Sequence, residues 1–155
     1  MSLIDTARAV PLTGLAEFLL FRVGKEFFAM PLANAEEAVE SLARDALPGM
    51  PRDMAGVAQY RGARLPVYGA EQLFGIARGG GTDEVTLVVR GRGGRVGIIV
   101  DDVEDVIIAD LSVLRPVPGP ATGEPVLSGV LPRDGELVAV CDPDAVVRTC
   151  LGARA

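Results

Sequence analysis

The stretch that decides the fold reads Gly56-Val57-Ala58-Gln59-Tyr60-Arg61-Gly62-Ala63-Arg64-Leu65-Pro66-Val67-Tyr68-Gly69. Two apolar runs flank the Arg61-Gly62 pair, and this pattern predicts a β-hairpin that displays an arginine at its turn. Glycine suits the turn because it accepts a positive φ without steric cost. Pro66 has no N–H to donate to a neighbouring strand, so it predicts an edge or a bulge where the second strand starts.

The same order of residues returns near the end of the chain. The second stretch reads Gly129-Val130-Leu131-Pro132-Arg133-Asp134-Gly135-Glu136-Leu137-Val138-Ala139-Val140-Cys141-Asp142-Pro143. The first hairpin of the chain, predicted over residues 17–32, is likewise matched by a hairpin over residues 85–100. Each half therefore runs as a hairpin, an acidic segment, a connection and a second hairpin, which indicates an internal duplication.

A duplicated unit of short strands with glycine and proline turns predicts a mainly all-β protein. Two small antiparallel barrels avoid exposed strand edges by closing, and their pairing forms a common apolar layer. Residues 1–16 are expected to form a flexible N-terminal extension. The domain is expected over residues 17–150, with a link between the barrels near residues 78–83, and residues 151–155 form a tail.

Three shorter segments carry their own predictions. Residues 33–43 have apolar and acidic residues in an order that fits a short helix or an acidic strand edge equally well. Residues 71–76 predict one helical turn. Residues 143–151 predict a C-terminal helix that packs on the common layer, with Asp142 as its N-cap.

Composition excludes several classes of function. The chain has 155 residues, 49% of them hydrophobic, and 15 basic against 21 acidic residues give a formal charge of −6. Such a charge argues against a nucleic-acid or anionic-membrane surface. The longest apolar runs have the length of strands, so no membrane insertion is expected. The N-terminus lacks the apolar core of a secretory signal, which predicts a cytoplasmic protein with Cys141 and Cys150 reduced.

Residues for catalysis or for a cofactor are scarce. The chain has no histidine, which removes the commonest general base and the commonest metal ligand. Two cysteines without histidine do not make a usual zinc site, and the glycine runs 79–81 and 91–94 lack the residues of a phosphate loop. The acidic run Asp101, Asp102, Glu104 and Asp105 lacks the EF-hand order and is expected to be the solvated side of a strand and turn. No enzyme activity, metal or cofactor is predicted.

Arg61 has two interpretations. It is either a solvent-facing arginine of an ordinary turn, or a guanidinium held on a rigid hairpin to pair with a carboxylate. Under the second interpretation, the carboxylate belongs to Glu37 or to a partner. A carboxylate is expected because the planar guanidinium of arginine suits bidentate contact.

Taken together, the residues resemble the CheW-like domain family of bacterial chemotaxis coupling proteins, over roughly residues 17 to 150. The matching features occur in the order of the family: Phe21-Arg22-Val23-Gly24, Phe28-Ala29-Met30-Pro31-Leu32, Glu37, Pro51, Gly56-Val57, Arg61-Gly62, Pro66-Val67, Val100-Asp101-Asp102-Val103, Gly129-Val130 and Asp142-Pro143. The resemblance implies two SH3-like five-stranded β-barrels that share a hydrophobic core, with short helices. It also implies a non-catalytic scaffold in chemotaxis signal transduction.

The family's usual surroundings of this arginine are altered here. In the family, this segment is usually Asn-Leu-Arg-Gly followed by Pro-Val-Val-Asp-Leu. This chain matches it at Arg61, Gly62, Pro66 and Val67. In this chain, Gln59-Tyr60 replaces Asn-Leu and Gly69-Ala70 replaces Asp-Leu. Ala35 and Ala38 stand where the family tends to have larger aliphatic residues, which would weaken or re-target an interface because a few buried anchors carry most of its energy.

The resemblance names the partners and the interaction surface. One barrel is expected to contact the regulatory domain of a CheA-type histidine kinase. A groove is expected to receive the cytoplasmic tip of a chemoreceptor (a methyl-accepting chemotaxis protein). The residues predicted to form the interaction surface are Glu37, Ala38, Gly56, Tyr60, Arg61 and Gly62. The alternative function is a ligand-binding or enzymatic β-barrel that uses the acidic run and Arg61, which requires a buried pocket of at least about 300 Å³.

Overall fold

The computed structural model of this protein describes residues 14–51, 54–80, 84–117 and 126–152. These residues form mainly β-strands, with two short α-helices and two 3-10 turns at Leu32–Asn34 and Leu111–Val113. The strands and helices are β1 (Leu15–Val23), β2 (Glu26–Pro31), β3 (Ala35–Glu40), β4 (Met54–Tyr60), β5 (Ala63–Gly69), α1 (Ala70–Phe74), β6 (Val85–Gly91), β7 (Gly94–Val100), β8 (Asp102–Asp110), β9 (Leu127–Arg133), β10 (Glu136–Cys141) and α2 (Pro143–Gly152).

The strands form two five-stranded sheets, each of which we treat as one barrel. Barrel 1 has the strand order β8-β1-β2-β10-β9, and barrel 2 has the order β3-β6-β7-β5-β4. Neighbouring strands are antiparallel except for two parallel pairs, β2 with β10 and β5 with β7. The predicted all-β architecture of two five-stranded units is confirmed.

The division of the chain between the barrels differs from the expected one. Residues 78–83 were expected to link the barrels, but β5 before this segment and β6 after it both belong to barrel 2. The chain instead passes between barrels after β2 and again after β7. Each barrel therefore combines the first hairpin of one half with the last three strands of the other half. Neither half of the sequence is a barrel by itself.

The internal duplication is confirmed by the strand register. In barrel 2, Glu37 pairs with Val88, and Glu36 is the extra residue of a β-bulge. In barrel 1, Asp105 pairs with Leu20, and Glu104 is the extra residue of a bulge at the same place. The last hairpins also correspond, because both turns have two consecutive residues with positive φ: Arg61 (49°) and Gly62 (78°), then Asp134 (50°) and Gly135 (81°). Such turns match the right-handed twist of paired strands.

Apolar side chains form three clusters that follow this duplication. One cluster fills barrel 1 with residues such as Phe18, Leu20 and Val138, and a second fills barrel 2 with residues such as Leu65 and Val88. The third and largest cluster takes residues from both sheets and from α2, and we call it the shared layer. The expected common apolar layer is therefore present.

Helix α2 covers one side of the shared layer as predicted. Asp142 caps it, because Oδ1 of Asp142 accepts a hydrogen bond from the Ala145 N–H at 3.2 Å. The helix buries Ala145, Val146, Val147 and Cys150. Both cysteines are buried and free, and burial, together with Asp142, raises the pKa of Cys141 far above its ordinary value. Neither described helix has the length and hydropathy that a membrane span requires.

Two local expectations are settled by neighbouring strands. The segment that fitted either a helix or a strand edge is a 3-10 turn followed by β3, which lies at the edge of barrel 2. Pro66 was expected to mark an edge or a bulge; β5 is an interior strand between β7 and β4, and its pairing with β4 has a bulge opposite Val67 and Tyr68, next to the proline. The proline is tolerated because the parallel ladder to β7 begins at Val67, one residue after it.

Asp101 departs from the expected solvated acidic run. Its side chain is only 7% exposed, whereas Asp102, Glu104 and Asp105 are exposed as predicted. Its Oδ2 accepts hydrogen bonds from the Gly24 N–H at 2.6 Å and the Gly79 N–H at 2.9 Å, and Nη1 of Arg78 lies 3.5 Å from Oδ1. Asp101 thus ties the first turn of barrel 1 to a connecting segment of barrel 2, at the point where the chain crosses between them.

The interior of barrel 2 depends on a glycine at position 97. A methyl group there would lie 2.8 Å from Cγ2 of Thr86 and 3.3 Å from Leu65 and Val67 side-chain atoms. We expect Gly97→Ala to destabilise the protein by about 1–3 kcal/mol through overpacking, measured by urea unfolding. Gly152→Ala is the control, because its nearest atom would be 3.9 Å away. An unchanged unfolding midpoint for Gly97→Ala would show that the barrel has room for the methyl group.

Candidate functional site

The hairpin of β4 and β5 displays Arg61 at the rim of barrel 2. The Arg61 side chain is 61% exposed, while Tyr60 beside it is only 6% exposed and joins the apolar cluster inside the barrel. A positive φ at Arg61 is unusual for a residue other than glycine, and the two-residue turn requires it. The turn thus buries the ring of Tyr60 and leaves the guanidinium of Arg61 in solvent.

Two neighbouring carboxylates meet the hydroxyl group of Tyr60. The hydroxyl lies 2.9 Å from Oε2 of Glu36 and 2.8 Å from Oε1 of Glu37. A phenol has a single proton to donate, so the two carboxylates share it. The bulge at Glu36 makes this possible, because adjacent residues of a regular strand point to opposite faces.

Three arginines balance the charge of this pair. Nη2 of Arg61 lies 3.3 Å from Oε1 of Glu37, and the Nε atoms of Arg90 and Arg95 lie 3.0 Å and 3.3 Å from Oε1 of Glu36. The guanidinium carbons of Arg61 and Arg95 also lie 5.4 Å and 5.5 Å from the centre of the Tyr60 ring, which is cation–π distance. We call Glu36, Glu37, Tyr60, Arg61, Arg90 and Arg95 the tyrosine network.

The network shifts the pKa of Tyr60 and that of Glu36 in opposite directions. Burial raises the pKa of Tyr60, and hydrogen bonds to Glu37 and Glu36 raise it further, so Tyr60 remains a neutral donor. Burial opposes ionisation of Glu36, but the Tyr60 hydrogen bond and the charges of Arg95, Arg90 and Arg61 outweigh it and lower the pKa of Glu36. The network therefore holds Tyr60 as a neutral donor beside the ionised carboxylate of Glu36.

The structure brings four of the six predicted surface residues together. Glu37, Tyr60, Arg61 and Gly62 belong to the network or its turn, and the pairing of Arg61 with Glu37, one of two alternatives expected, is present. Ala38 is exposed beside Glu37 on the edge strand.

Gly56 does not belong to this surface. It is buried, and a methyl group there would lie 3.0 Å from the Arg44 side chain and 3.1 Å from the Asp45 carbonyl oxygen. Its glycine is therefore explained by packing between β4 and the preceding connection.

Three network residues were missed in the sequence. Arg90 and Arg95 face each other across the β6–β7 hairpin, and Glu36 is the bulge residue of β3. Their pairing to Tyr60 depends on β3 lying beside β6, and the two strands are far apart in the chain. The arginines that alternate around the turn at residues 91–94 were the sequence signal that could have identified Arg90 and Arg95.

A second polar feature lies where the two barrels meet. It is an open cleft of about 490 Å³ lined by Arg22, Glu40, Ser41, Gly79, Glu84, Val85, Asp101 and Asp102. Charged groups around it pair with each other, as in the contact of 2.7 Å between Nη1 of Arg44 and Oε1 of Glu84. The cleft is open to solvent, and Arg61 does not line it. The described residues contain no cluster of three or more metal-ligating groups.

Each five-stranded barrel contains strands from both halves of the chain, and the two barrels pack around the shared layer. This architecture defines a two-barrel protein of the SH3-like class. A family model described as CheW-like domain matches residues 17–150, and the chain belongs to this family.

Individual relatives agree with this membership. The chain is 26% identical over 133 residues to the "Probable chemotaxis protein CheW" of Rhizobium etli and to the "Chemotaxis protein CheW" of Rhizobium meliloti, covering 84% of this chain and 86% of each relative. The crystal structure of the scaffolding protein TtCheW from Thermoanaerobacter tengcongensis matches with a TM-score of 0.74 at 25% identity, over 83% of this chain and 85% of that one.

The shared proton of Tyr60 provides a test of the network. We expect Tyr60→Phe to lower the free energy of unfolding by about 1–2 kcal/mol, because it removes a buried donor from two carboxylates. In a double-mutant cycle, Tyr60→Phe and Glu37→Gln should show a coupling energy of about 0.5–2 kcal/mol. Tyr60→Phe and the distant Glu84→Gln should instead change the free energy of unfolding additively. Additive effects with Glu37→Gln would mean that the hydroxyl does not couple the two positions.

The lowered pKa of Glu36 predicts an acid dependence of stability. Because its folded-state pKa lies below the unfolded value, ionised Glu36 stabilises the fold above the unfolded pKa, and this contribution is lost as the pH falls through the folded pKa. We expect Glu36→Gln to be destabilised by about 1–3 kcal/mol at pH 7. The difference from the wild type should shrink as the pH falls below the unfolded pKa of about 4.5 and through the lower folded-state pKa.

Urea unfolding at a series of pH values measures this difference. Glu40→Gln, on the same strand but without an ion pair among the described residues, should follow the wild-type curve. If the difference in unfolding free energy between Glu36→Gln and the wild type stays constant with pH, the stabilising role of ionised Glu36 is contradicted.

Proposed function

We propose that this protein is a non-catalytic cytoplasmic adaptor in chemotaxis-type signalling, which couples chemoreceptors to a CheA-type histidine kinase. The observation that carries the proposal is the family match over residues 17–150, which spans both barrels. The curated relatives are chemotaxis proteins, and the structural neighbour is described as a scaffolding protein.

Within this function, the rim of barrel 2 is the proposed receptor surface. Arg61 presents an exposed guanidinium on a rigid hairpin, and Glu37 beside it is 43% exposed. Their fixed geometry offers a cation and an anion to polar side chains at the tip of a receptor hairpin. The energetic reason is preorganisation, because groups already held in place lose little freedom on binding.

The second partner is the regulatory domain of the kinase, which contacts one of the two barrels. A contact of this kind would be transient and non-covalent. Tyr60, where the family usually has leucine, has its ring buried and its hydroxyl between Glu36 and Glu37. We infer that it stiffens the rim and narrows the set of receptors that this protein accepts.

Binding measurements with purified components test the receptor surface. We expect Arg61→Glu to weaken binding of the cognate receptor cytoplasmic fragment by about tenfold or more, because a charge reversal at an interface anchor removes attraction and adds repulsion beside Glu37. Isothermal titration calorimetry gives the dissociation constant, and the regulatory domain of the cognate kinase is titrated in parallel.

Arg64→Glu is the matched control, because it makes the same charge change on the same hairpin without a contact to Glu37. Circular dichroism of both variants excludes loss of binding through unfolding. If the folded Arg61→Glu protein binds the receptor fragment with wild-type affinity, Arg61 does not belong to the interface. No binding of the wild type to either partner would contradict the adaptor function as a whole.

A further inference from the structure

Asp101 is the first member of a chain of charged groups that runs from the junction of the barrels into barrel 2. Its Oδ1 lies 3.5 Å from Nη1 of Arg78, and Nη2 of Arg78 lies 3.6 Å from Oε2 of Glu84. Glu84 in turn accepts hydrogen bonds from Nη1 and Nη2 of Arg44 at 2.7 Å and 3.3 Å. We call Asp101, Arg78, Glu84 and Arg44 the charge chain.

Backbone groups of different barrels anchor the two ends of the charge chain. At one end, Asp101 accepts the N–H of Gly24, which belongs to the first turn of barrel 1. At the other end, Asp45 follows Arg44 and exchanges two backbone hydrogen bonds of 2.9 Å with Val57 of β4. The charge chain therefore joins the β1–β2 turn to the first strand of the hairpin that borders the tyrosine network.

The members of the charge chain are largely withdrawn from water and depend on each other. The Asp101 side chain is 7% exposed and the Arg78 side chain 24%, while Arg44 and Glu84 are each 27% exposed. Nη1 of Arg78 is buried and has no hydrogen-bond partner among the described residues, so its charge depends on the Asp101 carboxylate. Because the signs alternate, each buried charge has an opposite charge beside it, as burial requires.

Directional contacts at this point restrict the angle between the barrels. The shared layer holds the barrels together, but hydrophobic burial is non-directional, whereas hydrogen bonds need aligned groups. Gly24 adds a steric restriction, because a methyl group there would lie 2.6 Å from the Ala77 carbonyl oxygen. The first turn of barrel 1 thus lies directly on the segment of barrel 2 that carries Arg78, and Asp101 bonds to both.

We propose that Asp101 is a positioning residue that fixes the angle between the two barrels through the charge chain. A fixed angle holds the proposed receptor surface on barrel 2 in a constant orientation to a partner bound on barrel 1. This consequence rests on the proposed adaptor function, because coupling then requires a rigid link between the two bound partners. The fixed angle itself is a property of the free protein, and it is tested without either partner.

Distances between spin labels on the two barrels measure this angle. The labels are attached to Glu136→Cys in barrel 1 and Arg64→Cys in barrel 2, two exposed positions. Double electron–electron resonance should give one narrow distance distribution for the otherwise wild-type protein. Asp101→Asn should broaden it about twofold or more, because an amide leaves N–H donors of Gly24 and Gly79 without their carboxylate acceptor.

Matched controls separate a change of angle from other effects. Asp102→Asn removes the same charge from the next residue, whose Oδ1 accepts only the local Val103 N–H among the described side-chain hydrogen bonds, and it should leave the distribution narrow. A label pair within barrel 2, at Arg64→Cys and Arg92→Cys, should stay narrow in Asp101→Asn. The native cysteines are buried, and a sample without introduced cysteines checks that they take up no label.

Glu84→Gln tests the charge chain beyond its first member. This variant keeps the Asp101 contacts but weakens the link to Arg44, so it should broaden the distance distribution between the barrels as well. It also replaces Asp101→Asn if that variant does not fold, because Glu84 is more exposed than Asp101. Circular dichroism confirms that each labelled variant is folded.

Kinase control in the presence of both partners tests the functional consequence. Asp101→Asn should keep the separate affinities for the receptor fragment and the kinase regulatory domain within about twofold, because it leaves Arg61 and Glu37 in place. Receptor control of kinase autophosphorylation in the three-component mixture should fall by about threefold or more. Asp102→Asn should show the wild-type level of control.

Four results would overturn the proposal. A broad distribution in the otherwise wild-type protein means that the angle is not fixed. A narrow distribution in folded Asp101→Asn and Glu84→Gln means that the charge chain does not fix it. Broadening of the pair within barrel 2 means that Asp101 maintains the barrel and not the angle. Wild-type kinase control despite a broadened angle overturns the role in coupling. The distance results hold even if neither partner binds, so failure of the adaptor function is recognised separately.

Discussion

The shared apolar layer is the constraint on which the rest of the structure depends. Phe21 and Phe28 of barrel 1 and Leu87 and Ile98 of barrel 2 are fully or almost fully buried in it, and α2 covers its side. Because each barrel takes its first hairpin from one half of the chain and its last three strands from the other, neither can close before both halves are present. Folding and the position of every rim residue are therefore coupled across the whole domain.

Duplication supplies two copies of one framework, and side-chain exchange gives them different chemistry. Both copies keep the bulge in the edge strand and the two-residue turn with positive φ. On that framework, Tyr60 closes one rim with a network of paired charges, while Arg133 and Phe27 leave the other as an acidic groove. A backbone repeat can thus be retained for packing while the side chains at its ends diverge.

Much of the fold was predictable because its signals are local. Turn glycines, alternating strands, the Asp142 cap and the order of elements in both halves are encoded within short stretches, and these predictions were confirmed. The candidate site was predictable only in part. Tyr60, Arg61 and Gly62 follow from their hairpin, and Glu37 was named as a possible partner of Arg61. Glu36, Arg90 and Arg95 were missed because their contacts join strands that meet only through β3–β6 pairing. Gly56 lies apart from the network, packed against the connection that precedes β4.

The sequence by itself determined the duplicated order of hairpins and acidic strands, the all-β class, the C-terminal helix and an arginine held at a turn. These features depend on backbone preferences and on periodicity over a few residues. Only the tertiary structure decided that each barrel takes strands from both halves, that the buried carboxylate of Asp101 joins the two barrels, and that Arg90 and Arg95 pair with Glu36. Those outcomes depend on which distant strands lie side by side, since burial and ion pairing are properties of neighbours in space.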